Sequence, residues 1–147
     1  MTKSKPPRGK KHYTAAQANA ALPLVRAIVR VITALATELR ERYERLSRAK
    51  PERGAASALH EEEWRQAEEE FERGQGRLRE YQTELEKLGV LLKDPYTGLV
   101  DFPCWMDDRE VYLCWRLDEP DVAHWHEIDA GFAGRQKLLT KTAGLAQ

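Results

Sequence analysis

Two long stretches of this sequence repeat apolar residues at alternating steps of four and three, and that period leaves little choice of fold. The first runs Ala18, Leu22, Val25, Val29, Ile32, Ala36, Leu39, Tyr43 and Leu46. The second runs Trp64, Ala67, Phe71, Gly74, Leu78, Tyr81, Leu85 and Leu88. Such steps return to one face of an α-helix, so each stretch predicts a long amphipathic helix with a heptad stripe. Ile28 and Leu35 widen the first stripe beyond a narrow seam. Thr14-Ala-Ala-Gln17 is a capping-box sequence that starts the first helix, with Tyr13 placed as a hydrophobic staple. Pro23 lacks a backbone N–H and predicts a break or kink at Leu22, after which helix resumes to about Ala49.

Pro51-Glu-Arg-Gly54 ends that helix, Ser57 is the expected N-cap of the next, and Gly89 stands where a left-handed residue closes it. So short a connection makes the helices antiparallel neighbours, each about 40 Å long at 1.5 Å per residue. Phe71 is then expected in the core. Gly74 falls on the seam, level with Val29 to Ile32, where a missing Cβ permits close approach. The acidic clusters Glu61 to Glu63 and Glu68 to Glu70 read as a solvated face rather than carboxylate metal ligands, because no Glu-x-x-His spacing accompanies them.

Beyond Gly89 the period changes from helical to alternating. Val90 to Lys93, Leu99 to Cys104, Val111 to Arg116 and Val122 to His126 read as strands, with Asp94-Pro-Tyr-Thr-Gly98 and Leu117-Asp-Glu-Pro-Asp121 as turns. Trp105 to Asp108 reads as a connection. The predicted class is α+β: a coiled-coil-like antiparallel helical hairpin over 14–89, then a small antiparallel sheet of three to four strands. The sheet is a β-meander over 90–127, followed by a turn-rich segment over 128–138. Residues 1–12, with Lys3, Lys5, Arg8, Lys10 and Lys11, are expected to be a basic disordered tail, and 139–147 a frayed one. Residues 13–138 form one domain.

Pairing Arg116 with Val122 sets Cys114 opposite His124 and Tyr112 opposite His126. Alternation then gives Val111, Leu113, Trp115, Ala123 and Trp125 one apolar face, to be buried against the helices. The other face collects Tyr112, Cys114, His124 and His126, and Asp101 joins them if Val100 and Phe102 face the core. Two histidines one residue apart with a thiol opposite have the geometry of a divalent metal site. The expected ligands are Asp101, Cys114, His124 and His126, and zinc accepts that mixture. The competing account is structural, with Cys114 a small hydrophobe and the histidines half-buried polar residues. Cys114 activated by His124 is a candidate nucleophile. Arg109, Tyr112, Arg116 and Arg135 are candidates for an anionic ligand, with Gly131 and Gly134 letting its backbone come close.

Several motifs resemble the bacterial domain of unknown function family 2203. They are Gly89-Val-Leu-Leu-Lys-Asp94, Gly98-Leu-Val-Asp-Phe-Pro103, Leu113-Cys-Trp-Arg-Leu117, Trp125-His126 and Gly131-Phe-Ala-Gly-Arg135, with Tyr13-Thr14, Ala18-Asn19 and Leu22-Pro23-Leu24 at the start. The resemblance covers residues 12 to 138 and implies a small bacterial cytoplasmic protein, with no activity attached. This chain departs from it in carrying Asp108 and Asp118 where the family has glycine.

Charged residues make up 33% of the 147 but sum to zero, so nucleic acid is not an expected partner. Arg26, Arg30 and Thr33 interrupt the best apolar run, which predicts no membrane-spanning helix. Two cysteines without a paired framework fit a reducing, cytoplasmic setting. The pattern favours a non-catalytic interaction or regulatory module that uses its helical hairpin on a protein partner or a second copy of itself. The alternative is metal or small-anion binding, with or without catalysis, on the outer face of the sheet.

Overall fold

The computed structural model describes residues 5–49 and 58–139. The expected Pro51–Gly54 break, the Ser57 cap, and residues 1–4 and 140–147 lie outside that range. Helix α1 spans Ala15–Ala49. Its capping box closes as expected, with the Thr14 N–H donating to Gln17 Oε1 at 3.0 Å and the Gln17 N–H to Thr14 Oγ1 at 3.1 Å. Tyr13 does more than staple the helix. Its hydroxyl donates to the Leu88 carbonyl at 2.5 Å, its N–H to the Pro103 carbonyl at 2.6 Å, and its ring meets Phe102 edge-on at 5.1 Å. One residue thereby ties both helices to the sheet. Lys10 and His12 close on Glu110 just upstream, at 2.8 and 2.7 Å.

The break expected at Leu22 does not occur, since α1 continues through Pro23. A proline inside a helix costs about 3 kcal/mol. Leu22 and Val25 on either side of it are both buried in the core, and burying each contributes about 1.5–3 kcal/mol. Burial outweighs the lost bond.

Helix α2 spans Ala58–Lys87. It ends in a Schellman motif: the Gly89 N–H donates to the Glu86 carbonyl and the Val90 N–H to the Leu85 carbonyl, with Gly89 at φ 77°. Leu85 and Val90, brought together by that closure, are both fully buried.

The two helices pair with Phe71 against Tyr43 at 6.0 Å between rings, and with the Trp64 indole N–H donating to the Leu46 carbonyl at 3.1 Å. That register sets Gly74 opposite Leu39 rather than Val29 to Ile32. A Cβ at Gly74 would lie 2.6 Å from Leu39 Cδ2, whereas one at Gly76 meets only the Arg79 guanidinium at 3.8 Å. Gly76→Ala is therefore expected to stabilise by up to about 1 kcal/mol through helix propensity alone. Gly74→Ala gains the same term but forces Leu39 to move, at about 1–3 kcal/mol. It should trail Gly76→Ala in a thermal melt, and equal gains would refute the close fit.

Beyond Leu39 the pairing is open. Tyr43 is 60% exposed, and Leu46, Trp64 and Phe71 are half-buried. Phe71 is thus not the core residue its place on the stripe predicted, because among the described residues only Pro95 and Tyr96 of the β1–β2 turn come near this end of the hairpin.

The sheet is an antiparallel meander, ordered β1 (Leu91–Asp94), β2 (Leu99–Met106), β3 (Arg109–Arg116), β4 (His124–Glu127) and β5 (Gln136–Lys137). Five strands form where three to four were expected. The extra one is a two-residue pair inside the stretch read as turns, too short to show a period. Trp105 and Met106 belong to β2 rather than to a connection. The β2–β3 turn is only Asp107 and Asp108, at φ 51° and 63°. Aspartate is one of the few residues that accept this left-handed geometry, the one two-residue hairpins require.

Val100, Phe102 and Cys104 on β2, with Val111, Leu113 and Trp115 on β3, pack beneath Leu22, Val25, Val29, Ile32 and Leu85. Asn19 pins the β3–β4 connection to α1, accepting from the Val122 N–H at 2.8 Å and donating to the Val122 carbonyl at 3.1 Å. Trp115 is fully buried, its indole N–H donating to the Glu119 carbonyl, while Trp125 is half-buried at the edge of the core.

Candidate metal centre

The ladder places Cys114 opposite His124, Tyr112 opposite His126 and Asp101 opposite Cys114. With Val100 and Phe102 turned to the helices, alternation puts Asp101, Cys114 and His126 on the second face of the sheet. That face is not solvated. Asp101 is 2% exposed, Cys114 1% and His126 3%. The chain beyond β4 crosses over it. The Arg135 guanidinium donates to the Cys114 carbonyl at 3.3 Å and to Glu119 Oε1 at 2.8 Å. Phe132 lies under both Arg116 and Arg135, at 5.2 and 4.7 Å from their guanidinium carbons.

Three donor groups from three strands converge here. One ligand atom each from Asp101, Cys114 and His126 falls within 4.8 Å of the others. His126 Nε2 is 3.0 Å from Asp101 Oδ1, and its Nδ1 is 2.8 Å from the Glu127 carbonyl oxygen. A carbonyl only accepts, so Nδ1 carries a hydrogen and Nε2 is the nitrogen turned on the carboxylate. One proton must then lie between Nε2 and Oδ1 in the metal-free protein. Burial, and next the charge of Asp101, push the Cys114 thiol up to about 12. Its S–H is held by the same carboxylate.

His124 stands apart from the three. It faces Glu119, with Nδ1 3.6 Å from Oε2, and burial followed by the nearby Arg135 charge lowers its pKa. Cys114 and His124 are partners in the ladder, yet the imidazole lies toward the β3–β4 turn, with Nδ1 buried and without a hydrogen-bond partner.

The residues picked out for an anion are each held by acids or rings. Arg109 grips Glu127 at 2.8 and 2.5 Å, Arg116 grips Asp118 at 2.7 and 3.0 Å, and Arg135 is held by Glu119. Tyr112 packs edge-on against His126 at 5.6 Å. It lines, with Lys93, Leu99, Ile128, Gly131 and Phe132, a recess of about 220 Å³ above Asp101 and His126. Strand alternation could find the three donor residues. Glu119 and Ile128 sit in turns and Phe132 in a one-turn 3-10 helix, Phe132–Gly134, where no such signal operates.

The nucleophile reading of Cys114 meets a chemical obstacle. Attack needs the thiolate, favoured by cationic, partly exposed surroundings. A thiol held near 12 beside a carboxylate offers almost none at neutral pH.

A helical hairpin over a five-stranded meander, with an acid, a thiol and an imidazole buried on the second face, defines a small α+β domain with a preformed donor cluster. The chain belongs to the family described as "Uncharacterized conserved protein (DUF2203)", whose model matches residues 11–138. No curated protein and no solved structure matches it.

Proposed function

We propose that the protein is a non-catalytic regulatory module that holds a divalent metal ion, zinc foremost, between Asp101, Cys114 and His126. The observation that carries this is the convergence of three ligand atoms within 4.8 Å. Tetrahedral zinc, at about 2.0–2.3 Å from its ligands, sets them roughly 3.3–3.8 Å apart. A contraction of about 1 Å would complete the site. Carboxylate, thiolate and imidazole together suit a borderline-soft ion. The Glu127 carbonyl already fixes the His126 ring with Nε2 turned inward, the kind of support that metal-bound histidines receive. The recess beside His126 leaves room for a water as fourth ligand, which needs only about 30 Å³ of its 220 Å³.

The ion would displace the proton between Nε2 and Oδ1 and, by its own charge, the thiol proton. Free, buried Cys104 and Cys114 support a reducing, cytoplasmic setting for the protein. Cobalt(II) reports a thiolate ligand directly through a charge-transfer band and the site's geometry through its visible bands. Titration of metal-free protein is expected to reach one equivalent with both signals present. Cys114→Ser and His126→Gln should abolish them, and Cys104→Ser, on the core face, should not. A folded protein that shows no thiolate–cobalt band, or the same band in Cys114→Ser, would overturn the proposal.

A further inference from the structure

Helix α1 has a second apolar face. Opposite the stripe that packs on the sheet and α2, Ala20, Leu24, Ala27, Val31 and Ala34 stand exposed at steps of four, three, four and three. Leu24 is 55% exposed and Val31 36%. Between Ala15 and Thr37 the helix carries only two charges, Arg26 and Arg30. Arg26 is turned to the β3–β4 connection, donating to the Pro120 carbonyl at 2.8 Å.

A helix that is apolar all round is ordinarily buried all round. This one is buried on one side. An 18-residue window of α1 reaches a mean hydropathy of 1.7, with 33% of it buried. By length and composition α1 could therefore cross a membrane, contrary to the expectation drawn from Arg26, Arg30 and Thr33. Crossing would strip Val25, Val29 and Ile32, each with no exposed surface, from the core.

We propose that a second copy of this chain covers this face, α1 against α1, antiparallel about a two-fold axis between Ala27 and Val31. Side-chain size argues for it. Antiparallel pairing sets Leu24 on the other copy's Ala34 and Val31 on its Ala27, so every large residue meets a small one. Parallel pairing sets Leu24 on Leu24 and Ala27 on Ala27, which leaves gaps.

Charge argues the same way. Glu38 and Glu41 continue the face toward the C-terminus and are exposed. In the antiparallel dimer they lie beside Ala20 and Gln17 of the other copy, near the positive end of its α1. The first turn of α1 has no acidic residue of its own. A parallel dimer would stack Glu38 on Glu38. The seam covers about four helical turns, less than the ~800 Å² per partner of a standard interface, so the dimer should dissociate in the micromolar range.

Sedimentation equilibrium of the full chain tests this. The wild type is expected to pass from monomer to dimer with concentration. Leu24→Glu/Val31→Glu should keep the same melting temperature, since both sites are exposed, and lose about a hundredfold or more in dimer affinity, because a two-fold axis presents each change twice. Orientation is read by oxidising cysteine variants. Ala27→Cys mixed with Val31→Cys should cross-link faster than either alone. A wild type that stays monomeric at its highest soluble concentration overturns the dimer, and monomers that float with lipid vesicles would assign the face to a membrane. A Leu24→Glu/Val31→Glu variant that still dimerises, or fastest cross-linking of Ala27→Cys with itself, overturns the pairing.

Discussion

His126→Ala is expected to cost about 3–5 kcal/mol of folding stability in the metal-free protein, as for a buried pair that loses one partner. Asp101 is 2% exposed and His126 3%, 3.0 Å apart. Removing the ring leaves the carboxylate in a dry site with the Cys114 thiol as its remaining donor partner in the cluster, while the Glu127 carbonyl keeps the Ala130 N–H at 3.0 Å. The double replacement Asp101→Leu/His126→Leu should recover most of that loss, because no charge is then stranded and the Cys114 thiol is only a weak donor. Chemical denaturation of the three proteins reads the effect. A loss below about 1 kcal/mol for His126→Ala would mean that the pair is hydrated, and the buried cluster would not exist as described.

Phe102→Ala should be comparably severe, at about 3–5 kcal/mol, since its ring is fully buried between Tyr13 and the α1 stripe. Phe71→Ala makes the contrast. Its ring is half-buried, touching Tyr43 on an open stretch of the helix pair, and about 1–2 kcal/mol is expected from the smaller area removed from water. Urea unfolding midpoints of the two variants decide the matter. Equal losses would show that the distal hairpin is covered after all.

Much of the candidate site was legible before any coordinates. Alternation from Val111 to His126, with a Pro/Asp turn between, was enough to pair Cys114 with His124 and Tyr112 with His126. Extending the same rule to β2 put Asp101 on that face, and it lies directly opposite Cys114. Where two chains of strong period-two pattern meet, one register buries every apolar residue and its neighbours bury none. What failed was side-chain direction within the face. His124 shares the face with His126 but turns to Glu119, a turn residue outside any periodic pattern. Burial of the second face was equally hidden. It depends on Phe132 and Arg135, held by two cation–ring contacts and hydrogen bonds to Glu119 and the Cys114 carbonyl.

The helices show the same division. Heptad spacing, the Thr14–Gln17 capping box and the glycine at position 89 placed the start of α1 and the end of α2, because those signals act over four or five residues. Pro23 misled, since its local cost is real but the burial that outweighs it comes from strands about 80 or more residues away in the chain. Gly74 is a contact point, as its place on the seam predicts, but its partner is Leu39. The sequence by itself determined the two helices, the four longer strands and the faces they share, because backbone periodicity and capping are local physics. Only the tertiary structure decided which of those faces are covered, which histidine joins the acid and the thiol, and which apolar stripe is left open. Each of those outcomes depends on groups brought together by packing across large sequence separations, where no local pattern carries the information.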